Sequence, residues 1–556
     1  MGAMALPSFH RLQPLKAGSR WLACTLAGLL VQLPGTPLMA ADRVVFRLGE
    51  LQRSVRVADL NDFVNTGNVN QNLAFLLDRL TPQDRGALRF ALGHPFPITS
   101  LEVSDFLQTA MGGVLARQFA KLLEQPEAVA VPALSGALIL GASRSGGLRL
   151  IDVLQQYPLE NVIIGMPKVI NLARRLKAQF ARDAEMFPRL LALGSTSGLP
   201  STLLDGAAQA GTSSYSREGF SFQDQNGNTI SAIALVPSSA KAPAGPGQAP
   251  VRPAPLIVLA PGLNTDFNAL LYLGEHLASH GYGVAALNFP VTSATRVRAT
   301  IQGLATIPDP NAWYSQPLDV SRLIDQVSQR WPRQIDTSQV GALGQSLGGY
   351  TVLALGGAQL DWPNLEGACP LINDPNKVEF NSAILWQCKA PGKVVKRSDF
   401  SDPRIKVVIA VNPVSTPIFS AASMLNLKAP VLIVSGTEDI FAPPVSQQLI
   451  PYTNVVKAAS VLAVFDRATH LSFLAATGKL PGWLIGPDPQ QAQSDLKGLS
   501  LAFFDQQLLG KDTMRALMPS PVALYRAGQP LQFQLRRQLT PGQLRTIAPE
   551  LSPSSR

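Results

Sequence analysis

Six short apolar runs constrain this chain more than any other feature. They are "LIVLA" (256–260), "GVAALNF" (283–289), "VGALG" (340–344), "IKVVIAVNP" (405–413), "PVLIVSG" (430–436) and "SVLAVF" (460–465). Continuous apolar runs of this length suit strands covered on both faces, and the helical patterns between them supply the crossovers that parallel strands need. "PLDVSRLIDQVSQRW" (317–331) is one such helix. The fold class is therefore α/β, a mostly parallel sheet with helices on both faces. Ahead of it, "GFSFQD" and "TISAIALVP" flank Asn226-Gly227 and predict a β-hairpin. "SSAKAPAGPGQAPVRPAP" (238–255) reads as a surface loop. The α/β unit spans about 215–530 with an insert at about 357–404, and residues 531–556 are left as a C-terminal tail.

At 556 residues the chain exceeds one ordinary core. Residues 42–205 read as a mainly helical N-terminal domain. "TPQDRGALRFAL" (81–92) opens with Thr81 as cap and Pro82 in the first turn. "SDFLQTAMGGVLARQFAKLLE" (104–124) repeats apolar residues at helical spacing, and "KVINLARRLKAQFARDAEMF" reads as a further amphipathic helix. The stretch from Ala128 to Ser143 carries no charge, is too short to span a bilayer, and reads as a buried helix in preference to a lipid-docking one. Residues 1–41 read as a signal peptide: Arg11, Lys16 and Arg20 precede the apolar "WLACTLAGLLVQL", and "LMAA" offers a cleavage site. The expected mature protein is exported, periplasmic or extracellular. Its net charge, +10 less those three, is near +7. Basic residues are scattered without an aromatic-basic platform, which argues against nucleic acid as a partner. With 15% charged residues and a mean hydropathy of +0.14, transient contact with a membrane surface is compatible with the composition.

The pattern Gly344-Gln345-Ser346-Leu347-Gly348 sits between an apolar strand and a helix. By itself it could be a Gly-rich connection. As a nucleophile elbow it needs a general base and an orienting acid further along the chain, in the order serine, acid, histidine. Of the five histidines only His470 follows Ser346. A lone loop histidine is ordinarily surface decoration; here no other histidine stands in the required order. Asp439, after "PVLIVSG", is the candidate acid, with its neighbour Glu438 the alternative, while Asp466 reads as a turn residue. Oxyanion donors are expected from the backbone N–H groups of Leu347 and Leu263, the latter in "PGLNTD". "GASRSGG" (141–147) imitates the elbow, but Ser145 stands where the second glycine belongs.

Signal cleavage would leave Cys369 and Cys388. Two thiols in an oxidising compartment commonly pair, worth roughly 3 kcal/mol on the chain-entropy model, although two separate buried thiols are the alternative. Ligand spacing for a metal is absent, and the candidate chemistry requires no cofactor.

"APGLNTD", "GQSLGGYT", "SGTEDIFAPP" and "ATHLSF" together resemble bacterial α/β-hydrolases related to platelet-activating factor acetylhydrolase and dienelactone hydrolase. The chain is most similar to exported bacterial members with an uncharacterised helical domain in front, for which "VVFRLGELQRSVRVADLNDFVNTG" (44–67) supplies the start. The resemblance implies a triad of Ser346, Asp439 and His470, oxyanion donors at Leu263 and Leu347, and a cysteine-bearing insert at "NSAILWQCK" (381–389). Relatives often carry His-Gly where this chain has Pro261-Gly262. The implied function is an exported serine hydrolase of carboxylic esters with lipid-like or short acyl groups. An amidase or peptidase with the same triad, or a non-catalytic binding protein on this scaffold, are the alternatives. The insert is expected to cover the site as a disulfide-stiffened cap, and the N-terminal domain as a lid, a chaperone-like segment or an interaction module.

Overall fold

A computed structural model describes residues 41–549, apart from 239–251, 297–309, the single positions 49, 109, 160 and 195, and shorter stretches near 375, 478, 521 and 528. The signal-peptide reading lies, but for Ala41, outside the described residues, as does most of the Pro/Gly-rich loop.

Among the described residues the large sheet has eleven strands, in the order β4-β13-β14-β12-β11-β10-β9-β7-β8-β6-β5. Its centre is parallel: β8 (Gly283–Leu287), β7 (Ala254–Ala260), β9 (Ile335–Gln345), β10 (Ile405–Val411), β11 (Val431–Gly436) and β12 (Val461–Asp466). The hairpin of β5 (Tyr215–Gln223) and β6 (Thr229–Pro237) extends one edge antiparallel, turning at Gly227 with φ +80°. Alternate residues serve opposite faces, as the pleat dictates. Leu256, Val258 and Ala260 pack with Val320, Leu323 and Tyr350 of helices Ala312–Arg330 and Leu347–Leu355 on one face. Ile257 and Leu259 pack with Leu273, Leu499 and Phe503 of helices Leu271–Ser279 and Pro489–Leu509 on the other.

The far edge differs from the sequence reading. Residues 531–536 do not begin a tail: β14 (Gln532–Arg536) pairs with both β12 and β13 (Ala523–Arg526), and helix Pro541–Ile547 adds Leu544 and Ile547 to the core. Phe533 and Leu535 face one core, while Gln534 and Arg536 are buried opposite and hydrogen-bond each other. Strand β4 (Thr196–Gly198) joins this edge from upstream, so residues near 205 are already inside the α/β unit.

The N-terminal domain is not helical alone. Strands β1 (Arg43–Leu48), β2 (Leu51–Arg56) and β3 (Asn161–Gly165) form a second sheet in the order β2-β1-β3, beneath helices that share one core. Thr81 caps helix Pro82–Gly93 as its sequence implies. The helical spacing over 104–124 is divided between two helices, Ser100–Leu107 and Ala110–Ala120, with Gly112 packed so closely on the Phe106 carbonyl that a Cβ there would overlap it. Helix Glu127–Gly141 is half-buried rather than buried: Ala130, Leu134 and Ala137 face the core, and Val129 and Leu140 face solvent. Among the described residues no helix is long and apolar enough to cross a membrane. Cys369 and Cys388 are disulfide-bonded, closing the insert between helices Trp362–Ile372 and Ser382–Gln387.

Candidate active site

Strand β9 lies between β7 and β10, where the strand order reverses direction along the sheet. Ligands of open parallel sheets bind at such a switch point, beyond the carboxyl ends of the strands. The backbone marks the same place. Among the described residues four non-glycines have positive φ: Asn264 (61°), Ser346 (58°), Asn412 (44°) and Arg467 (58°). They follow β7, β9, β10 and β12 respectively. Each conformation costs on the order of 1–3 kcal/mol, and such strain clusters where geometry is held for function.

Ser346 is the hinge between β9 and helix Leu347–Leu355, at φ 58° and ψ −118°. The two flanking glycines have a steric cause. A Cβ on Gly348 would overlap the Ala260 carbonyl, and one on Gly344 would overlap the carbonyl of Gly348. The elbow is fastened to the neighbouring strand: Ser346 N–H donates to Val411 O (2.9 Å), and Val414 N–H donates to Ser346 O (3.2 Å).

His470 and Asp439 meet as the sequence pairing requires, with His470 Nδ1 2.7 Å from Asp439 Oδ2. Asp439 is 1% exposed, and its other oxygen accepts from the N–H groups of Phe441 (2.9 Å) and Ala442 (2.8 Å). Glu438, by contrast, is exposed. Asp466 accepts from Gln532 at the sheet edge, a structural task. With Nδ1 engaged, Nε2 is the ring nitrogen left to exchange a proton. The histidine loop is tied to the elbow by Gln345 Nε2, which donates to His470 O (3.0 Å). Asn412 makes a third tie: its amide donates to Thr469 O (3.0 Å), and its carbonyl accepts from Gly436 N–H (3.0 Å). Gln345 and Asn412 were not singled out in the sequence, although an Asn-Pro closing an apolar strand is a visible mark of a special turn.

Both expected oxyanion donors lie at the elbow. Leu347 N–H opens its helix, where the first amides have no partner inside the helix. Leu263 N–H has no acceptor among the described residues, whereas the next amide, Asn264 N–H, donates to Thr292 O (2.8 Å). Gly262 brings that loop against the serine: a Cβ there would stand 2.9 Å from Ser346 Cβ.

The other described histidines and the imitation motif lie elsewhere. His94 packs among Phe90, Phe96 and Phe180. His276 stacks edge-on against His280, and burial holds it down to about 4. Ser145 is exposed beside Arg144 and Asp152.

Asp183, on helix Met166–Leu191, is raised to about 6 by burial, with the charges of Glu438 and Asp439 adding and Gln179 and Arg182 opposing.

Residues 40–165 match the model of a family described as "Alpha/beta hydrolase of unknown function (DUF1400)". The large sheet with its helices is an α/β-hydrolase-like domain. The matched residues are those of the N-terminal domain, and Ser346, Asp439 and His470 lie outside them. No curated protein matches the chain.

Proposed function

We propose that the protein is an exported serine hydrolase that cleaves carboxylic esters of apolar acyl groups. The observation that carries this reading is the buried His470–Asp439 couple, tied through Gln345 to a strained serine elbow. In the reaction Ser346 Oγ attacks the ester carbonyl while His470 Nε2 takes the hydroxyl proton. The N–H groups of Leu263 and Leu347 hold the oxyanion. Collapse of the tetrahedral intermediate breaks the C–O bond to the alcohol, which leaves with the proton from His470. Water then enters, gives its proton to His470, and releases the acid and free Ser346. Asp439 holds the imidazole tautomer and balances its charge. Export rests on the basic, apolar and small-residue order of residues 1–41.

The test is labelling of the intact protein with a fluorophosphonate, mapped by mass spectrometry, beside turnover of p-nitrophenyl esters and peptide anilides. Labelling at Ser346 that is lost in Ser346→Ala, with ester turnover, supports the proposal. Anilide cleavage without ester cleavage replaces it with a peptidase, and a folded protein that neither labels nor turns over any substrate is a binding protein on this scaffold.

A further inference from the structure

The N-terminal domain touches the active site through one aromatic ring. Phe441, two residues beyond Asp439, packs edge-on against the His470 ring with centroids 5.5 Å apart. On the Phe441 ring lies Phe106, from helix Ser100–Leu107 of the N-terminal domain, with centroids 6.2 Å apart. Phe441 is buried, at 8% exposure, and Val103 and Leu107, on the helix that carries Phe106, pack into the N-terminal core. Phe106 is half-buried, and Ile440, between the acid and Phe441, is 46% exposed. Accessible apolar surface beside a reactive centre is what an apolar substrate needs.

This arrangement is fastened on every side. Phe441 O accepts from Ser382 Oγ (2.7 Å) and Ala383 N–H (3.2 Å) of the disulfide-closed insert. The insert is held in turn by the N-terminal side. Arg175 donates to Val378 O (2.7 Å) and to the Glu379 carboxylate (2.9 Å), and Glu379 N–H donates to Gln118 Oε1 (3.3 Å). Gly112 packs on the Phe106 carbonyl and fixes the end of its helix.

We propose that Phe106, with Phe441 and Ile440, forms the apolar wall along which the acyl chain of the ester lies, so that the N-terminal domain sets acyl-length preference. The proposal rests on the ester-hydrolase reading and adds a specificity-determining residue from outside the α/β domain. It assigns Phe106 no part in the chemistry; the residue acts on the substrate chain alone.

The experiment measures kcat/KM on p-nitrophenyl acetate, butyrate, octanoate and decanoate for the full chain and for Phe106→Ala and Phe106→Leu. The expected result is a fall of about tenfold in the decanoate-to-acetate ratio for Phe106→Ala, the loss of one good apolar contact, with Phe106→Leu between it and wild type. A purely structural role for Phe106 would lower all four substrates together and leave the ratio unmoved. That outcome, in either folded variant, overturns the proposal. Fluorophosphonate labelling of wild-type Ser346 is read in parallel. If labelling is present and the ratio is flat, only the wall is wrong; if labelling is absent, the hydrolase reading itself has failed.

Discussion

Gly262 offers the sharpest test of the oxyanion geometry. A Cβ at this position would lie 2.9 Å from Ser346 Cβ and 2.7 Å from Gln345 Oε1. Carbon atoms rest about 3.5–4.0 Å apart, so Gly262→Ala pushes the loop and the elbow apart by roughly 0.6 Å or more. Donors to an oxyanion work over about 2.7–3.1 Å, a window narrower than that displacement. The Leu263 N–H is therefore lost to the transition state, and kcat should fall by roughly 10²–10³, or about 2.7–4 kcal/mol. Gly262 does not have positive φ, so alanine adds no backbone strain and the fold should hold. Ester kinetics beside thermal unfolding is the assay, with KM expected near wild type. The pH dependence of kcat/KM separates the oxyanion loop from the histidine loop. Gln345 also lies against Gly262, and if its tie to His470 O were what broke, the profile would shift. A folded Gly262→Ala protein with kcat within about threefold of wild type would refute the assignment of Leu263 as a donor. Gly348→Ala makes the contrast: its Cβ meets the backbone carbonyl of Ala260, which cannot swing aside, and the variant should not fold.

Three further outcomes are expected. Asp439→Asn keeps the acceptor for Phe441 and Ala442 N–H but turns an amide donor toward His470 Nδ1, fixing the wrong tautomer; kcat should drop by about 10⁴ with little change in unfolding temperature. Asp319 is 1% exposed, has no hydrogen-bond partner for either oxygen among the described residues, and is raised to about 8 by burial, with Asp224 adding and Arg322 opposing. From about pH 4 to about pH 8 only the unfolded chain releases this proton, so its contribution to stability falls by about 1.36 kcal/mol per pH unit; Asp319→Asn should gain on wild type in urea unfolding from pH 5 to pH 8, and an unchanged difference refutes the raised carboxyl. A chain beginning at Gly206 loses Met186, Phe187, Leu190 and Leu204, all fully buried against the α/β core, which at roughly 1.5–3 kcal/mol each rivals a net stability of about 5–15 kcal/mol; it should be insoluble on expression, whereas a soluble, ester-cleaving product would show that these residues are dispensable.

The parallel centre and the elbow were legible because their signals are local. Apolar runs bounded by turns name their own strands, and a serine between two glycines names a tight hinge. His470 followed by counting, since chain order left one candidate. The far sheet edge was not legible. "QFQLR" (532–536) reads as a polar tail until buried Arg536 is seen to donate to Gln534 Oε1 and to Leu190 O. Strand β4 has three residues, too few for any periodicity to register. The break before Gly112 was hidden because the apolar spacing runs on in phase through residues 104–124. Gln345, Asn412 and Phe441 act through contacts with residues far along the chain, and no spacing rule reports such partners. Phe106 stands 335 positions from Phe441, which places its contact beyond any window a sequence can be scanned with.

The division between the two domains illustrates why composition misplaces it. Helix Met166–Leu191 runs without a glycine, and its one internal proline, Pro188, comes in the last turn. Its first turns, with Met166 and Ile170, complete the N-terminal core, while Met186, Phe187 and Leu190 near its end lie in the core of the α/β domain. Arg174 pairs with buried Asp84 on the N-terminal side, and the adjacent Arg175 reaches across to the insert. A linker would show a shift in composition, but a helix shared by two cores keeps one amphipathic pattern throughout, with only the identity of the covered surface changing. The domains are therefore coupled by a rigid element rather than tethered. That coupling gives the Phe106–Phe441 contact its meaning: a ring carried on a tether would brush the acid loop, whereas one carried on this frame is held against it.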